Sequence, residues 1–256
     1  MKKIILVLSL LLIVVACTTD ASSNSDANNN NTSANQQVTG SASNDLLSDT
    51  TYTSMRIELV YVEGFEPSQT AINNFVAFLE ARTYKPNGIT VEKREIPSLG
   101  NAPYTNTEIS AIEDANRTAY NTEDQIAVWA FFADGASAND TNSGVVLGTA
   151  YRNTSFVIYE ETIHGFSDSA FEPSRSMLET TVIMHEFGHI LGLTNLGADL
   201  QSDHEDAAHP KHCDVESCLM YWSAETGDGI ANLVSGGSAP QLDAQCIADL
   251  QANGGK

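Results

Sequence analysis

The stretch TTVIMHEFGHILG, residues 180–192, decides how this chain folds and what chemistry it carries. Its apolar residues, with Met177 and Leu178 just before it, give a helix the apolar flanks of a buried element. Gly192 then stands where a helix commonly ends in a left-handed turn. We therefore predict a long helix that follows Pro173 and ends near Gly192.

Two histidines and a glutamate form an H-E-x-x-H pattern within this helix. His185 and His189 are four residues apart, so both imidazoles lie on one face, close enough to share a metal ion. Glu186 stands beside them, where a carboxylate can take a proton from a metal-bound water. The alternative is a core helix in which hydrogen bonds alone satisfy these buried polar side chains.

The distribution of histidine favours the metal centre. All six histidines of the chain fall between residues 164 and 212, and four of them lie at or after His189. Residues after the helix are therefore expected to fold back and complete the centre. His212 is the preferred third ligand, with His209 and His204 as alternatives.

The surrounding pattern predicts an α+β fold, arranged as an α/β sandwich with a mixed sheet. Residues 56–62 alternate like a strand, and a helical pattern follows Pro67. Residues 126–133 form the continuous apolar run of a strand buried on both faces. Two further strands, 145–150 and 156–159, come in direct sequence before the long helix.

The first residues carry a targeting signal. Lys2 and Lys3 precede an apolar run, Ile4–Val15, which is too short to span a bilayer and has the length of a signal-peptide core. The run ends at Ala16-Cys17, which resembles a bacterial lipoprotein cleavage site. We predict that residues 1–16 are a lipoprotein signal peptide and that Cys17 is lipidated; an ordinary signal peptide is the alternative.

The composition changes near residue 55. Residues 17–54 are almost all small or polar, and such a segment buries too little apolar surface to offset its ordering entropy. We predict a lipidated, disordered tether over 17–54 and one folded domain over 55–256.

The charge excludes one class of partner. The chain carries 12 basic and 33 acidic side chains, a formal charge of −21, with no basic cluster beyond Lys93-Arg94. Nucleic-acid binders normally present a basic patch, so we expect no nucleic-acid partner.

The H-E-x-x-H-x-x-G pattern resembles that of the metzincin metalloproteases. Their third histidine comes three residues after the glycine, where this chain has Asn195. Further on, His212-Cys213-x4-Cys218-x-Met220 is similar to the archaemetzincin subgroup, in which cysteine directly follows the third zinc histidine. The resemblance implies an insertion of roughly residues 195–211, His212 as the third zinc ligand, and Met220 in the turn beneath the metal.

The resemblance also implies an architecture and an activity. It implies a metzincin-like mixed, twisted sheet with an antiparallel edge strand, an active-site helix and a C-terminal helix. In that family the edge strand binds the peptide substrate, and residues 145–151 are the candidate; an ordinary edge strand is equally compatible with the sequence.

The remaining cysteines depart from the subgroup. Archaemetzincins bind a second zinc ion through four cysteines, two of them in a C-x-x-C pair. Apart from Cys17, this chain has only Cys213, Cys218 and Cys246, and no C-x-x-C. Export favours a disulfide, so Cys213 and Cys218 are expected to pair, or either of them with Cys246.

These expectations combine into one leading hypothesis. The chain is expected to be a zinc peptidase with one catalytic ion, Glu186 as general base, and lipid anchoring that faces the periplasm or the cell exterior. Its partners would be a peptide or protein substrate and the membrane. The alternatives are a non-catalytic, zinc-containing surface-binding lipoprotein, and a different H-E-x-x-H class whose third ligand is Glu205 or Glu216.

Overall fold

The computed structural model describes residues 32–142, 144–170, 172–224, 226 and 238–256. The predicted signal peptide and Cys17 lie outside these residues. The elements, in chain order, are α1 (Ser43–Leu47), β1 (Ser54–Val62), α2 (Gln69–Arg82), β2 (Ile89–Ile96), α3 (Asn106–Asn116), β3 (Gln125–Ala133), β4 (Gly148–Arg152), β5 (Ser155–Tyr159), α4 (Glu160–Gly165), α5 (Arg175–Ile190) and α6 (Ala244–Ala252). Short 3₁₀ turns occupy Thr32–Asn35 and Trp222–Ala224.

Five strands form one mixed sheet in the order β2-β1-β3-β5-β4. Strands β1, β2, β3 and β5 run parallel, and β4 runs antiparallel to β5 at the edge. A short turn at Asn153-Thr154 joins β4 to β5, because an antiparallel pair needs no crossover helix. The predicted mixed sheet with an antiparallel edge strand is confirmed.

Helices cover both faces of the sheet, which explains why β3 is apolar throughout. On one face α2 and α5 pack against alternate residues of β1, β3 and β5, with Phe75, Phe156 and Phe187 in mutual edge-to-face contact. On the other face α3 covers Trp129 and Phe131. Burial of these aromatic side chains fixes α5 against the sheet and brings its histidines close to β4.

The predicted disordered tether is wrong for residues 32–54. Leu46 and Leu47 of α1 are fully buried in the main core, and Asn35 is buried with hydrogen bonds to the Asn121 and Thr154 side chains. The ammonium of Lys85 donates to the carbonyl oxygens of residues 45, 48 and 52 and holds the end of α1 in place. The composition of residues 32–54 does not indicate a folded segment, because it contains only a few large apolar residues. Its order depends on two adjacent leucines and on polar side chains that bond to residues far away in the sequence.

Residues 32–40, which precede α1, are called the strap here. They run along the turn between β4 and β5 and reach the loop that follows α5. Asn153 donates its amide to the Gln37 carbonyl at 3.0 Å, and Gly40 packs directly on Leu196. A Cβ on Gly40 would lie 1.6 Å from the Leu196 carbonyl oxygen, so only glycine fits at this contact.

No helix among the residues that the structure describes is long and apolar enough to cross a membrane.

Candidate metal centre and active site

The end of α5 sets the direction of the chain beyond the H-E-x-x-H pattern. Gly192 has φ +86, and the Leu193 amide donates to the Gly188 carbonyl at 3.0 Å, which closes the helix with a left-handed residue. A Cβ on Gly192 would lie 2.6 Å from the Ala198 amide nitrogen and 2.7 Å from the Ser43 hydroxyl. The predicted helix end at Gly192 is therefore required by packing as well as by φ.

The two histidines of α5 are arranged as a pair of metal ligands. The Nε2 atoms of His185 and His189 are 3.1 Å apart. Two imidazole nitrogens bound tetrahedrally to zinc at the usual bond length would be about 3.3 Å apart. His185 Nδ1 lies 2.7 Å from the Leu219 carbonyl oxygen, which requires the proton on Nδ1 and leaves the lone pair on Nε2.

The burial of His189 favours its neutral form. Burial, together with the nearby rings of His185 and His212, lowers the pKa of His189 well below its usual value. A neutral imidazole is the form that binds a metal ion, so this environment suits a ligand.

His212 joins the pair from the far side of the insertion. Its ring is 5.4 Å from that of His185 and 5.1 Å from that of His189, and ligand nitrogens of all three histidines lie within 4.8 Å of one another. The Asp206 amide donates to the His212 carbonyl at 2.8 Å, which holds this part of the returning chain. The structure thus brings together the three histidines that the sequence predicted as ligands.

The alternative histidines point elsewhere. His209 Nδ1 is 2.7 Å from an Asp206 carboxylate oxygen, and its ring stacks on Trp222 at 4.4 Å. His204 is buried with Nε2 2.7 Å from an Asp249 carboxylate oxygen.

The acidic alternatives also lie apart from the three histidines. Glu205 accepts hydrogen bonds from the Lys211 amide and the Asn195 side chain, and Glu216 is exposed. Neither carboxylate belongs to the cluster of candidate ligand atoms formed by the histidines.

Glu186 is the buried carboxylate beside the three histidines. Only 1% of its surface is exposed, and its Oε2 accepts a hydrogen bond from the Ala150 amide of β4 at 2.8 Å. A Cβ on Gly148 would lie 2.7 Å from Glu186 Cγ and 2.8 Å from Val182 Cγ1. The edge strand therefore approaches α5 closely at a glycine and orients the carboxylate with a backbone amide.

Met220 lies beneath the histidines, as the resemblance implies. It is fully buried, and a Cβ on Gly188 would lie 2.3 Å from its sulfur. The chain thus contacts α5 between the two histidines, while the neighbouring Leu219 carbonyl orients His185.

A second cluster lies on the other side of the His212–Cys213 peptide. Cys213, Cys218 and Cys246 are buried and free of disulfides, and their sulfurs lie with a carboxylate oxygen of Asp243 within 4.8 Å of one another. The predicted disulfide is therefore wrong: Cys218 and Cys246 are 3.7 Å apart at sulfur, well beyond a covalent bond.

Asp243 is the functional candidate that sequence reasoning missed. It is the N-cap of α6, and its Oδ1 accepts from the Cys246 amide at 2.8 Å. Asp243-x-x-Cys246 has the spacing of a C-x-x-C pair, with aspartate in the first position. That spacing was the available signal, since an N-cap carboxylate and the residue three positions later lie on the same side of the first turn.

The environment of Cys218 favours a thiolate. Hydrogen bonds from Cys213 and Cys246, with the amides of Met220 and Asp243, lower the pKa of Cys218 well below its usual value. A thiolate that accepts backbone amides is the form that binds soft metal ions. Behind this cluster, His204 Nδ1 lies 3.5 Å from the Cys213 sulfur and connects it to Asp249.

Comparison with solved structures identifies the architecture. The chain matches archaemetzincin from Methanopyrus kandleri with a TM-score of 0.51 at 17% sequence identity, over 78% of this chain and 96% of that one. The protein has the archaemetzincin fold. Metalloproteinase-II from Bacteroides fragilis also matches, with a TM-score of 0.41 and 15% identity over 80% of this chain and 56% of that one. No protein-family model and no curated protein matches the chain.

The archaemetzincin fold accounts for the order of the elements predicted from sequence. The antiparallel edge strand, the helix with the H-E-x-x-H pattern and the C-terminal helix all occur, as β4, α5 and α6. At this identity the likeness establishes the fold alone, so the activity must be argued from the side chains of this chain.

Proposed function

We propose that the protein is a zinc-dependent peptidase in which His185, His189 and His212 hold the metal ion and Glu186 is the general base. One observation carries the proposal: three buried imidazoles converge within 4.8 Å, with a buried carboxylate and an edge strand beside them. Three histidines leave the fourth position of a tetrahedral zinc ion for water or substrate, which is the arrangement of catalytic sites.

The metal ion and the side chains of the protein would have different tasks in the reaction. Bound zinc would polarise the scissile carbonyl and make water a nucleophile near neutral pH. Glu186 takes the proton of the attacking water and passes it to the leaving amine. The Ala150 amide holds one carboxylate oxygen of Glu186 and so fixes the orientation of this carboxylate.

The edge strand supplies the surface on which a peptide substrate would lie. Strand β4 has one side paired with β5, while the Ala150 amide on its other side donates to Glu186. An extended peptide binds such an edge through backbone hydrogen bonds, largely independent of its sequence. Residues 145–151, the sequence candidate for this role, overlap β4 and the chain just before it.

The second cluster is proposed to hold a structural metal ion, most suitably zinc. Three cysteines and one aspartate would fill all four positions of a tetrahedral ion and leave none for water. Since Cys213 directly follows His212, this ion would also fix the third histidine in place.

The location proposed from the sequence is the cell envelope, with a lipid on Cys17. The signal-like segment before Cys17 supports export, and the formal charge of −21 suits a soluble domain that is repelled by anionic lipid headgroups. A Cys17→Ser variant tests it. The variant should leave the membrane fraction while keeping its peptidase activity, and retention in the membrane would contradict lipidation.

The decisive experiment compares the zinc-loaded wild type with Glu186→Gln and Glu216→Gln on a mixed peptide library. We expect Glu186→Gln to lose cleavage by about 10³-fold or more, since it removes the general base, while its metal content stays unchanged. Glu216 is exposed and serves as the matched control, which should retain full activity.

Other outcomes would point elsewhere. Loss of zinc in Glu186→Gln would contradict its assignment as a base that does not bind the metal. Zinc in every variant with cleavage in none would favour the surface-binding lipoprotein.

A further inference from the structure

The hydrogen-bond pattern of β4 shows which of its backbone groups face the cleft. The Tyr159 amide donates to the Leu147 carbonyl, so Leu147 points towards β5. Residues alternate in an antiparallel ladder, so Val146, Gly148 and Ala150 point outwards. The Ala150 amide, which donates to Glu186, confirms this direction.

Both ends of this outward row are occupied by other parts of the chain. At one end Val146 pairs with Thr226 in an isolated antiparallel bridge, and its amide donates to Asp140. At the other end the hydroxyl of Thr39 donates to the Ala150 carbonyl at 3.3 Å. Within the row from Val146 to Ala150, Gly148 alone stands between these two contacts.

The strap is firmly held where it meets β4. Asn153, in the turn after β4, accepts the Gln37 amide on its side-chain Oδ1 at 3.2 Å and donates its own backbone amide to the Gln37 carbonyl at 3.0 Å. Its side-chain amide donates to the Ala34 carbonyl at 2.8 Å. Asn35 is fully buried beside this turn.

Beyond Thr39 the chain contacts the end of α5 and the loop that follows it. Gly40 packs on Leu196, and Ser43 donates to the carbonyl of Leu191, the residue that ends α5, at 2.5 Å. The strap therefore spans the gap between the edge strand and the loop after His189. A peptide extended along β4 meets it directly beyond Ala150.

We propose that the strap ends the substrate cleft at Ala150, so that the protein accepts only one or two substrate residues on that side of the scissile bond and cleaves near a peptide terminus. This inference rests on the proposed peptidase function. It makes residues 37–40 a specificity element: Val38, 76% exposed, presents its side chain to solvent where the peptide chain would otherwise continue.

The first test is a peptide series with one fixed scissile bond, lengthened by single residues towards either terminus. With the zinc-loaded wild type, lengthening towards one terminus beyond two residues should lower kcat/KM by about 10-fold or more, because the added residues meet the strap. Lengthening towards the other terminus meets the Val146–Thr226 bridge and not the strap, so any fall in kcat/KM on that side should be the same with and without the strap. Equal kcat/KM for long and short peptides in both directions would overturn the proposal.

The second test changes the strap. Deleting residues 32–40 removes it, and the double variant Val38→Gly, Thr39→Gly loosens it while keeping Asn35 and the Asn153 contacts in case the deletion fails to fold. In either variant the longer peptides should recover by about 2- to 10-fold for each additional backbone hydrogen bond gained on β4. Gln36→Ala changes an exposed strap side chain that bonds to Asp114 of α3; it is the control and should keep the wild-type ratio.

The outcomes separate the two proposals. A wild-type protein that binds zinc and cleaves no peptide of any length refutes the peptidase function, and the strap inference falls with it. Cleavage that depends on length in the wild type and equally in the loosened and deleted straps refutes only the role of the strap.

Discussion

Two ligand clusters meet at a single peptide bond, between His212 and Cys213, and they differ in how completely they are closed. The sulfurs of Cys213, Cys218 and Cys246 belong to residues with no exposed surface, and with Asp243 they offer four candidate ligands. The histidine cluster offers three candidate ligands and retains slight exposure at His189 and His212. It lies beside Glu186, which the edge strand contacts.

This difference in closure suggests that the histidine cluster serves catalysis and the cysteine cluster serves folding. A site that supplies all four ligands can bind an ion but leaves no position for a reacting group, whereas a site with three ligands and an adjacent carboxylate can do chemistry. Cys213 and His212 belong to different clusters because the chain turns between them: the Cys213 amide donates to the Met220 carbonyl, while the Asp206 amide donates to the His212 carbonyl. The contrast can be tested one cluster at a time.

The largest effect is expected from His212→Ala. It should abolish peptide cleavage and remove one metal ion per chain, because two histidines alone do not hold a catalytic zinc ion. The other ion and the fold should remain. Elemental analysis with an activity assay measures this, and His209→Ala, three residues away on the same loop, is the control. Loss of metal in His209→Ala with retention in His212→Ala would reverse the ligand assignment.

Cys246→Ser tests the closed cluster. We expect the variant to lose the second ion and to fall in unfolding free energy by on the order of 3–5 kcal/mol, because a structural metal ion contributes directly to folding. Denaturant unfolding with and without chelator measures it. A variant that keeps both its metal content and its stability would show that the cluster holds no structural ion.

Gly148→Ala tests the contact between β4 and the open cluster without touching a ligand. The new Cβ would meet Glu186 Cγ at 2.7 Å, so the carboxylate must shift. We expect kcat/KM to fall by about 10- to 100-fold through misplacement of the base, with both ions retained. Gly165→Ala is the control, since a Cβ there has no neighbour within 4 Å. Full activity in Gly148→Ala would mean that the base tolerates this shift.

The smallest effect concerns α5 itself, away from both clusters. Glu160 and Glu179 are fully buried at the junction of α4 and α5, and Glu179 accepts from the Ser68 amide at 3.0 Å. Burial raises the pKa of Glu160 to about 7; burial and the nearby Glu160 raise that of Glu179 to about 8.

The direction of the pH effect follows from these raised values. The folded state holds protons that the unfolded state releases above its ordinary carboxyl pKa of about 4.3, so stability falls as the pH rises from 5 to 8. Glu160→Gln should flatten this slope by up to about 1.4 kcal/mol per pH unit. Unfolding at several pH values, under the same metal conditions, measures it. The exposed Glu161→Gln should keep the wild-type slope, and an unchanged slope in Glu160→Gln would show that Glu160 does not titrate in this pH range.

The sequence predicts the parts of the molecule that depend on local pattern. The helix α5 and its end at Gly192, the buried strand β3 and the mixed sheet all follow from spacing and turn chemistry. His212 was predicted from its own motif with cysteine, although an insertion of roughly 17 residues separates it from the position expected after Gly192. Such an insertion changes the loop and leaves the ligand type unchanged.

The parts that the sequence does not predict depend on distant partners. Asn35 is ordered by Asn121 and Thr154, which lie 86 and 119 residues away, so its local composition carries no sign of burial. In the sequence, Asp243 has only the features of a typical helix N-cap. Its possible role as a ligand becomes visible when the structure places the three cysteines beside it. The expected disulfide failed because cysteine count and compartment were considered without the carboxylate that completes a metal site.

The ordered strap also changes how far the proposed lipid anchor can reach. Since Thr32 already belongs to the folded domain, at most residues 18–31, a span of 14, separate Cys17 from the strap, whereas a tether ending at residue 54 would span 37. A fully extended chain spans about 3.5 Å per residue, so the spacer of 14 residues reaches at most about 50 Å. A spacer of 37 residues would reach about 130 Å. The spacer would join the domain at the strap, beside Ala150. A lipid-anchored enzyme would therefore reach only peptides close to the membrane surface, and it would shorten them from one end.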